Sequence, residues 1–148
     1  MKFTILAPAA IALVAAISAP VHAADFGTSD EAKAMLEKSV AAVKKDKAAA
    51  LTAMTKGEAG FKDRDLYPFC GGPDGNFTAH PTLVGKSMKD LKDKTGKPIG
   101  EEFYANAKEG SVASVPYMWP RPGSDTPVQK VSYVTKVGDQ VCAVGYYK

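Results

Sequence analysis

An apolar stripe with helical spacing runs through residues 32–54. Thr28 and Glu31 precede it at the spacing of a capping box, and Gly57 follows it as a stop signal, with no proline or glycine between Glu31 and Gly57. The pattern predicts one uninterrupted helix of about 27 residues, about 40 Å long, whose apolar face packs on another element. The stripe consists of Ala32, Met35, Leu36, Val40, Val43, Leu51 and Met54.

Apolar and polar residues alternate along three segments in the last third of the chain, as they do in β-strands with one buried face. Tyr117 and Trp119 share a face of the first segment, and Val131 and Tyr133 share a face of the second. Short polar or proline- and glycine-rich turns join the segments, which predicts an antiparallel three-stranded meander. The segments are residues 112–119, 128–137 and 140–147.

A predicted hairpin and short helices occupy the middle of the chain. Residues 66–70 and 76–80 are short strand candidates on either side of a turn at residues 74–75. Because Pro68 has no N–H to donate, the first strand is expected to bulge or to leave an edge unpaired there. Short helices are expected within residues 81–110. This order of elements predicts an α+β fold, with one antiparallel sheet packed on the long helix.

The first 23 residues have the pattern of a secretory leader. Lys2 forms a basic start, residues 3–17 are almost wholly apolar, and a small-residue box at 21–23 predicts cleavage after Ala23. The alternative is an uncleaved membrane anchor; in either case residues 24–148 are expected outside the cytoplasm, periplasmic or secreted. We expect a single domain there, because about 125 residues suffice for one core but not for two.

Composition and motifs exclude several functional classes. The net charge of +3 is too small for the electrostatic footprint of a nucleic-acid-binding protein. One of the two histidines lies in the leader, so His80 cannot form a histidine pair for zinc, and we expect no metal and no cofactor. Gly85, Lys86 and Ser87 match the end of a phosphate loop, but His80 stands where its first glycine should be. Since no catalytic motif is complete, we expect a protein that is not an enzyme.

The two cysteines outside the leader, Cys70 and Cys142, allow one intramolecular disulfide. An oxidising location outside the cytoplasm favours their pairing. The alternative is a pair of free thiols that are buried as small core residues. A nucleophilic role for Cys70 with His80 as its base would need the two to meet across the hairpin by chance, and we do not expect it.

A cluster of rings and cations in the meander is the remaining candidate for chemistry. Tyr117 and Trp119 share a strand face, Arg121 follows them directly, and Tyr133 comes from the neighbouring strand. Aromatic walls with one or two cations can hold a small anion or an amine, and an arginine offers a fork to a carboxylate. Lys130 is a second cation, but its alternation opposes that of Tyr133, so a bulge would be needed to bring both into one pocket. The alternative is that the rings are ordinary core residues and that the arginine is exposed in a loop.

An ordered series of motifs gives the chain a family resemblance. From residue 29 to residue 148 it resembles the Cache superfamily of extracytoplasmic sensors, specifically the single-Cache type. The motifs are specific as a series at these spacings rather than one by one. After the leading helix the series reads Asp65-Leu66-Tyr67-Pro68-Phe69, Asp74-Gly75-Asn76-Phe77-Thr78-Ala79-His80-Pro81, Leu83-Val84-Gly85-Lys86, Tyr117-Met118-Trp119-Pro120, Lys130-Val131-Ser132-Tyr133-Val134 and Val144-Gly145-Tyr146-Tyr147.

The resemblance implies a PAS-like fold, a central antiparallel sheet of about five strands with the long N-terminal helix along it. It also implies a pocket between the sheet and the helical segment for an organic acid, an amino acid or an amine. In such a sheet the first and last strands are neighbours, which would bring Cys70 close to Cys142. By position, five residues would fall at or near the pocket: Tyr117, Trp119, Arg121, Lys130 and Tyr133.

The function that the resemblance implies is binding without catalysis. We expect a periplasmic single-Cache domain, residues 24–148, that binds a small carboxylate-bearing metabolite. The usual family member is joined to a membrane helix and a signalling module, and nothing follows Lys148 here, so we expect a separate membrane-bound signalling partner. The alternative is a structural or interaction module whose sheet is filled by its own side chains and which forms a homodimer through the long helix.

Overall fold

The computed structural model describes residues 25–148, so the predicted leader lies outside the described residues. Within this part of the chain, three helices and five strands follow the predicted order of elements. No helix among these residues has both the length and the apolar character that crossing a membrane requires. The elements are α1 (Ser29–Lys45), α2 (Lys47–Lys56), β1 (Pro68–Gly71), β2 (Phe77–Ala79), α3 (Ile99–Asn106), β3 (Ala113–Pro120), β4 (Pro127–Val137) and β5 (Gln140–Tyr147).

The five strands form one antiparallel sheet in the order β2-β1-β5-β4-β3. The predicted meander and hairpin are both present, and β1 lies beside β5, so the first strand of the chain is the neighbour of the last. Pro68 begins β1, whereas β2 pairs only with Cys70 and Gly71, with a register shift between them. The proline therefore has no partner on that side, as its missing N–H requires. The α+β prediction with a five-stranded antiparallel sheet is confirmed.

The predicted single long helix is divided at Asp46, which corrects the expectation from sequence. The backbone of Asp46 is extended (φ −155°, ψ 97°), and its carboxylate accepts a hydrogen bond from the N–H of Ala49 at 3.0 Å. An aspartate that satisfies the free N–H groups of a new first turn competes with a continuous helix. The apolar stripe nevertheless continues across the break, because Val43 and Ala50 are buried in the same core cluster.

Residues 81–98 form turns, and helix in the predicted region 81–110 is confined to α3. The hydroxyl of Ser87 accepts a hydrogen bond from the N–H of Asp90 (3.1 Å) and donates one to its carboxylate (2.8 Å). The carbonyl of Gly75 meanwhile accepts the N–H of Met88 at 2.8 Å. The N–H of Lys89 is also donated to Gly75, and that of Leu91 to the carbonyl of Met88 three residues back, so the backbone bonds here are those of turns and not of an α-helix.

The sheet buries side chains on both faces, and each face has a different cover. Helices α1 and α2 cover the first, here called the helix face, while α3 and the turns of residues 81–98 cover the second, called the site face. The core of the helix face includes Met35, Leu36, Val43, Met54, Cys70, Val137, Cys142 and Val144. The core of the site face includes Phe69, Phe77, Met88, Ile99, Phe103, Val115, Tyr117, Val134 and Ala143.

Cys70 and Cys142 form a disulfide on the helix face. They are direct partners in the pairing of β1 with β5, and their Cα atoms lie 4.1 Å apart. Both side chains are fully buried, and the sulfur of Met54 lies 3.9 Å from that of Cys70. The disulfide, rather than the pair of free thiols, is therefore what the fold contains.

A buried carboxylate fixes the turn segment 91–98 to the edge strand β3. One oxygen of Asp93 accepts hydrogen bonds from the N–H groups of Thr95 (2.8 Å) and Lys97 (3.0 Å), and the other accepts from the N–H of Met118 (2.9 Å). Burial by itself would raise the pKa of Asp93. The hydrogen bonds outweigh this effect and lower the pKa to about 2. Because β3 carries candidate site residues, the same bonds position the site.

Replacing Asp93 with asparagine is expected to lower the free energy of unfolding at pH 7 by about 1–3 kcal/mol, because an amide accepts these bonds less well and its NH₂ accepts none. The folded pKa is below the unfolded value of about 3.9, so the contribution of the carboxylate is present above that value and is lost as the pH falls towards 2. Urea unfolding at pH 7 and pH 3 measures the effect, with the exposed Asp125→Asn as control. If Asp93→Asn lowered the free energy of unfolding by the same amount at pH 7 and at pH 3, this role for Asp93 would be contradicted.

Candidate ligand-binding site

Lys130 lies on β4, on the site face of the sheet. Its Cα is paired with that of Tyr117 on β3 and with that of Tyr147 on β5, so the three side chains project from the same face. The lysine is only 1% exposed. Its Nζ lies 3.3 Å from the hydroxyl of Tyr67 and 4.7 Å from the ring centroids of both Tyr67 and Tyr147. The buried ammonium is thus surrounded by one hydroxyl and two aromatic rings.

No carboxylate among residues 25–148 lies within ion-pair distance of Lys130. Burial lowers the pKa of Lys130 to about 7, and the more distant charge of Asp65 offsets only part of that effect. Gly145 on β5 leaves the space that the lysine occupies, because a β-carbon there would collide with Lys130 Cε and Ser132 Oγ. A buried cation without a counterion is costly, and an anion placed beside it would be strongly stabilised.

His80 follows β2 and lines the same small cavity as Lys130. Its Nδ1 accepts hydrogen bonds from the N–H groups of Thr82 (3.0 Å) and Leu83 (3.2 Å). Burial, and then the charge of Lys130, lower the pKa of His80 to about 4, so the ring is neutral at pH 7. Since Nδ1 is an acceptor, the ring proton is assigned to Nε2, which makes Nε2–H a hydrogen-bond donor.

Tyr117 and Trp119 form an aromatic wall on the site face. The Tyr117 hydroxyl lies 2.8 Å from Ser132 Oγ, and its ring packs edge-on against Phe103 (5.7 Å) and Trp119 (6.2 Å). Burial raises the pKa of Tyr117, so the hydroxyl stays protonated. Both residues line the small cavity beside Lys130, so the structure brings these three predicted site residues together.

Arg121 is held by an internal carboxylate rather than exposed in a loop. Its Nη1 donates a hydrogen bond to Asp65 Oδ2 at 3.0 Å, and its guanidinium carbon lies 3.9 Å from the ring centroid of Phe26 and 4.6 Å from that of Tyr147. Asp65 is 6% exposed, and its other oxygen accepts the N–H of Gly27 at 2.6 Å. The charge of the arginine is therefore already paired.

Tyr133 is not with the other four predicted site residues, which corrects the grouping expected from sequence. In the β3–β4 pairing Tyr133 is opposite Ser114, and its side chain lies on the helix face. Its ring stacks on that of Tyr146 with the centroids 5.7 Å apart, and its hydroxyl lies 2.7 Å from the hydroxyl of Ser29. The register pairs odd-numbered residues of β3 with even-numbered residues of β4, so Lys130 shares the face of Tyr117 without any bulge.

Two adjoining cavities lie beside these residues, an inner one on the site face and an outer one that reaches the end of α2. The inner cavity, beside Lys130, has a volume of about 20 Å³, which is room for roughly one water molecule. The outer cavity, which Arg121 helps to line, has about 640 Å³ and falls in the range of small-molecule sites. The residues that line both cavities, and so stand between them, are Tyr67, His80, Leu83 and Trp119.

The sequence did not single out Asp65, Tyr67, His80 or Tyr147 as binding residues. All four stand in the motifs that carry the family resemblance, and that was the available signal. Tyr147 alternates with Tyr146 along β5, so one of the two had to face the site. Choosing between them requires knowing which face the helices cover.

Comparison with known proteins decides the family. The family model described as a Cache domain matches residues 30–146. The chain belongs to the Cache domain family. Its described residues form a single Cache domain, with a central antiparallel sheet and N-terminal helices packed along one face, which confirms the resemblance seen in the sequence.

Proteins similar to this Cache domain include sensory proteins. A solved structure of the periplasmic sensor domain of a chemotaxis protein is 28% identical, with a TM-score of 0.58 over 80% of this chain and 88% of that one. A structure from work on carboxylic acid recognition by a Cache chemosensory domain has a TM-score of 0.61 over 80% and 92%; at 19% identity this likeness concerns the fold alone.

A further similarity covers less of the Cache domain. A segment of 56 residues is 34% identical to the methyl-accepting chemotaxis protein McpP of Pseudomonas putida. It covers 38% of this chain and 10% of the length of that receptor.

Proposed function

We propose that this Cache domain is an extracytoplasmic sensor that binds a small carboxylate beside Lys130 and performs no catalysis. The observation that carries the proposal is the buried ammonium of Lys130, for which residues 25–148 supply no carboxylate partner at ion-pair distance. A ligand carboxylate would provide the missing counterion. Carboxylic acid recognition by a structurally similar Cache domain supports this ligand class.

The groups around Lys130 suit a carboxylate with a short apolar tail. The ammonium, the Tyr67 hydroxyl and the Nε2–H of His80 are donors, and a carboxylate accepts several hydrogen bonds at once. Tyr117 and Trp119 would exclude water and so strengthen the ion pair. An amine would be repelled by the lysine, so among the expected ligands the organic acids, including amino acids through their carboxylate, fit better.

Ligand entry requires movement, because the inner cavity admits only about one water molecule. The outer cavity is large enough to receive a metabolite, and the side chains between the two cavities include Leu83 and Trp119. We propose that these side chains move aside as the carboxylate reaches Lys130. The indole of Trp119 then reports directly on binding.

Addition of propanoate is expected to change the fluorescence of Trp119, the single tryptophan of the chain, and to raise Tm. A ligand at a hundred times its Kd stabilises the folded state by about 2.7 kcal/mol, enough for a shift of several degrees. Titration followed by emission and by thermal unfolding measures both effects. Propanamide, which has the same shape without the charge, serves as the control and should leave both unchanged.

The proposal would be contradicted if neither signal responded to any short carboxylate at millimolar concentration. A response to propanamide equal to that of propanoate would also count against it. In that case the pocket would select its ligand by apolar contacts and not by charge, and Lys130 would not be the residue that binds the carboxylate.

The location and the signalling partner are part of the same proposal. The similarity to the periplasmic sensor domain of a chemotaxis protein supports a periplasmic or secreted location. We propose that the bound state is read by a separate membrane-bound signalling protein. Cross-linking in membranes with and without propanoate tests this, and capture of the same partner to the same extent in both conditions would argue against ligand-dependent signalling.

A structural or interaction module is the second candidate, and the small inner cavity favours it. The inner cavity has a volume of only about 20 Å³, so the protein's own side chains nearly fill the space beside Lys130. Dimerisation through α1 fits the structure less well, because its apolar stripe is buried on the sheet while Lys33, Glu37 and Lys44 occupy the exposed side. Sedimentation measurements would favour the module if they showed a dimer that Lys44→Glu disrupts, together with no response to propanoate.

A further inference from the structure

We propose that Asp65 makes the site select a monocarboxylate over a dicarboxylate by neutralising one of its two cations. The inference rests on the proposed binding of a carboxylate beside Lys130. It assigns a specificity role to a residue that need not touch the ligand.

Asp65 is placed by two contacts that hold it next to the site. Its Oδ2 accepts a hydrogen bond from Arg121 at 3.0 Å, and its Oδ1 accepts the N–H of Gly27 at 2.6 Å. With 6% of the residue exposed, its charge is little screened by solvent. The same charge raises the pKa of Lys130, Tyr67 and Tyr147, so it is felt throughout the inner site.

The charges of the buried site therefore sum to one positive unit when Lys130 is protonated. Lys130 and Arg121 are the cations, Asp65 is the anion, and His80 is neutral at pH 7. Lys56 and Lys62 line the outer cavity but are exposed, and Arg64 there is paired with Glu31 and Asp63, so these charges are screened or balanced.

One ligand carboxylate completes this balance, whereas a second would exceed it. With the first carboxylate on Lys130, the remaining cation for a second is Arg121, whose charge Asp65 already neutralises. The second carboxylate would then meet the carboxylate of Asp65. Two like charges within about 10 Å at a partly buried site oppose binding by a factor of about ten or more.

The test compares propanoate with malonate, which have the same number of carbon atoms and differ by one carboxylate. Calorimetric Kd values at neutral pH are expected to favour propanoate at least tenfold in the wild-type protein. In Asp65→Asn the preference should fall at least tenfold, because the site then carries two positive charges. The asparagine oxygen can still accept the N–H of Gly27, while its NH₂ cannot accept the hydrogen bond of Arg121.

Two further variants separate the charge from the contact. Arg121→Gln removes one cation and should weaken propanoate binding at least tenfold. The double variant Asp65→Asn/Arg121→Gln restores the wild-type charge sum and should regain the preference for propanoate. Glu101→Gln, an exposed charge on α3, is the matched control and should leave the preference unchanged.

The outcomes distinguish this inference from the proposed function. If neither propanoate, malonate nor any other short carboxylate binds the wild-type protein, the proposed function fails. If propanoate binds but folded Asp65→Asn keeps the wild-type preference, the selectivity inference fails and the proposed function stands. If Asp65→Asn does not fold, Arg121→Gln decides, since unchanged propanoate affinity in that variant would overturn the inference.

Discussion

Replacing Cys70 and Cys142 together with alanine is expected to lower the free energy of unfolding by about 4 kcal/mol. The disulfide closes a loop of 72 residues, and cross-linking a loop of that length removes much of the chain entropy of the unfolded state. It also joins the first and last strands of the sheet, which are neighbours but come from distant parts of the sequence. A domain of this size loses about 4 °C in Tm per kcal/mol, so Tm should fall by about 15 °C.

Urea unfolding of the double variant and of the wild-type protein measures this change. Reduction of the wild-type protein is the matched control, because it breaks the same bond without altering the side chains that pack around Met54. The reduced protein and the double variant should unfold at similar urea concentrations. A loss below about 1 kcal/mol in both would show that the disulfide adds little to stability.

Replacing Lys130 with methionine is expected to weaken propanoate binding by about 100-fold or more, because the carboxylate loses its counterion in a buried site. The same change should stabilise the ligand-free protein by about 1–4 kcal/mol at pH 6, because methionine fills a similar volume and carries no charge whose burial costs desolvation energy. A variant that gains stability while losing binding identifies a binding residue, since structural damage would reduce both.

The pH dependence of this gain has a definite sign. The folded pKa of Lys130 is about 7, below its usual value of about 10.5, so the unfolded state binds the proton more tightly. The destabilisation by Lys130 is therefore complete below pH 7 and disappears as the pH rises towards 10.5. The groups that face the lysine do not titrate between pH 6 and 9. Burial raises the pKa of Tyr67 to about 12 and also raises the pKa of Tyr147, while the pKa of His80 is lowered to about 4.

Urea unfolding at pH 6 and pH 9 tests this prediction, with Lys136→Met, an exposed lysine of the same strand, as the control. The stabilisation by Lys130→Met should be clearly larger at pH 6 than at pH 9, while the control shows no such difference. Propanoate binding by Lys130→Met with wild-type affinity would mean that the carboxylate lies elsewhere.

The elements of the candidate site were predictable from sequence, but their grouping was not. Alternation placed Tyr117 and Trp119 on one face of β3 correctly, since successive side chains of any strand point to opposite sides. Tyr133 was grouped with them and lies on the other face, because the pairing register of β3 with β4 decides which residues are neighbours. Asp65 was missed because its role comes from contacts with Gly27 and Arg121, which are distant in sequence.

The sequence by itself determined the helical stripe, the alternating strands, the two cysteines and the order of elements, since each depends on residues close together in the chain. Only the tertiary structure decided which cation is buried, which is already paired, and how much space lies beside them. Arg121 and Lys130 are both basic residues of the meander, yet Asp65 pairs with one and two tyrosine rings enclose the other. Burial and counterions are set by distant segments that fold together, and these set the charge that a ligand meets.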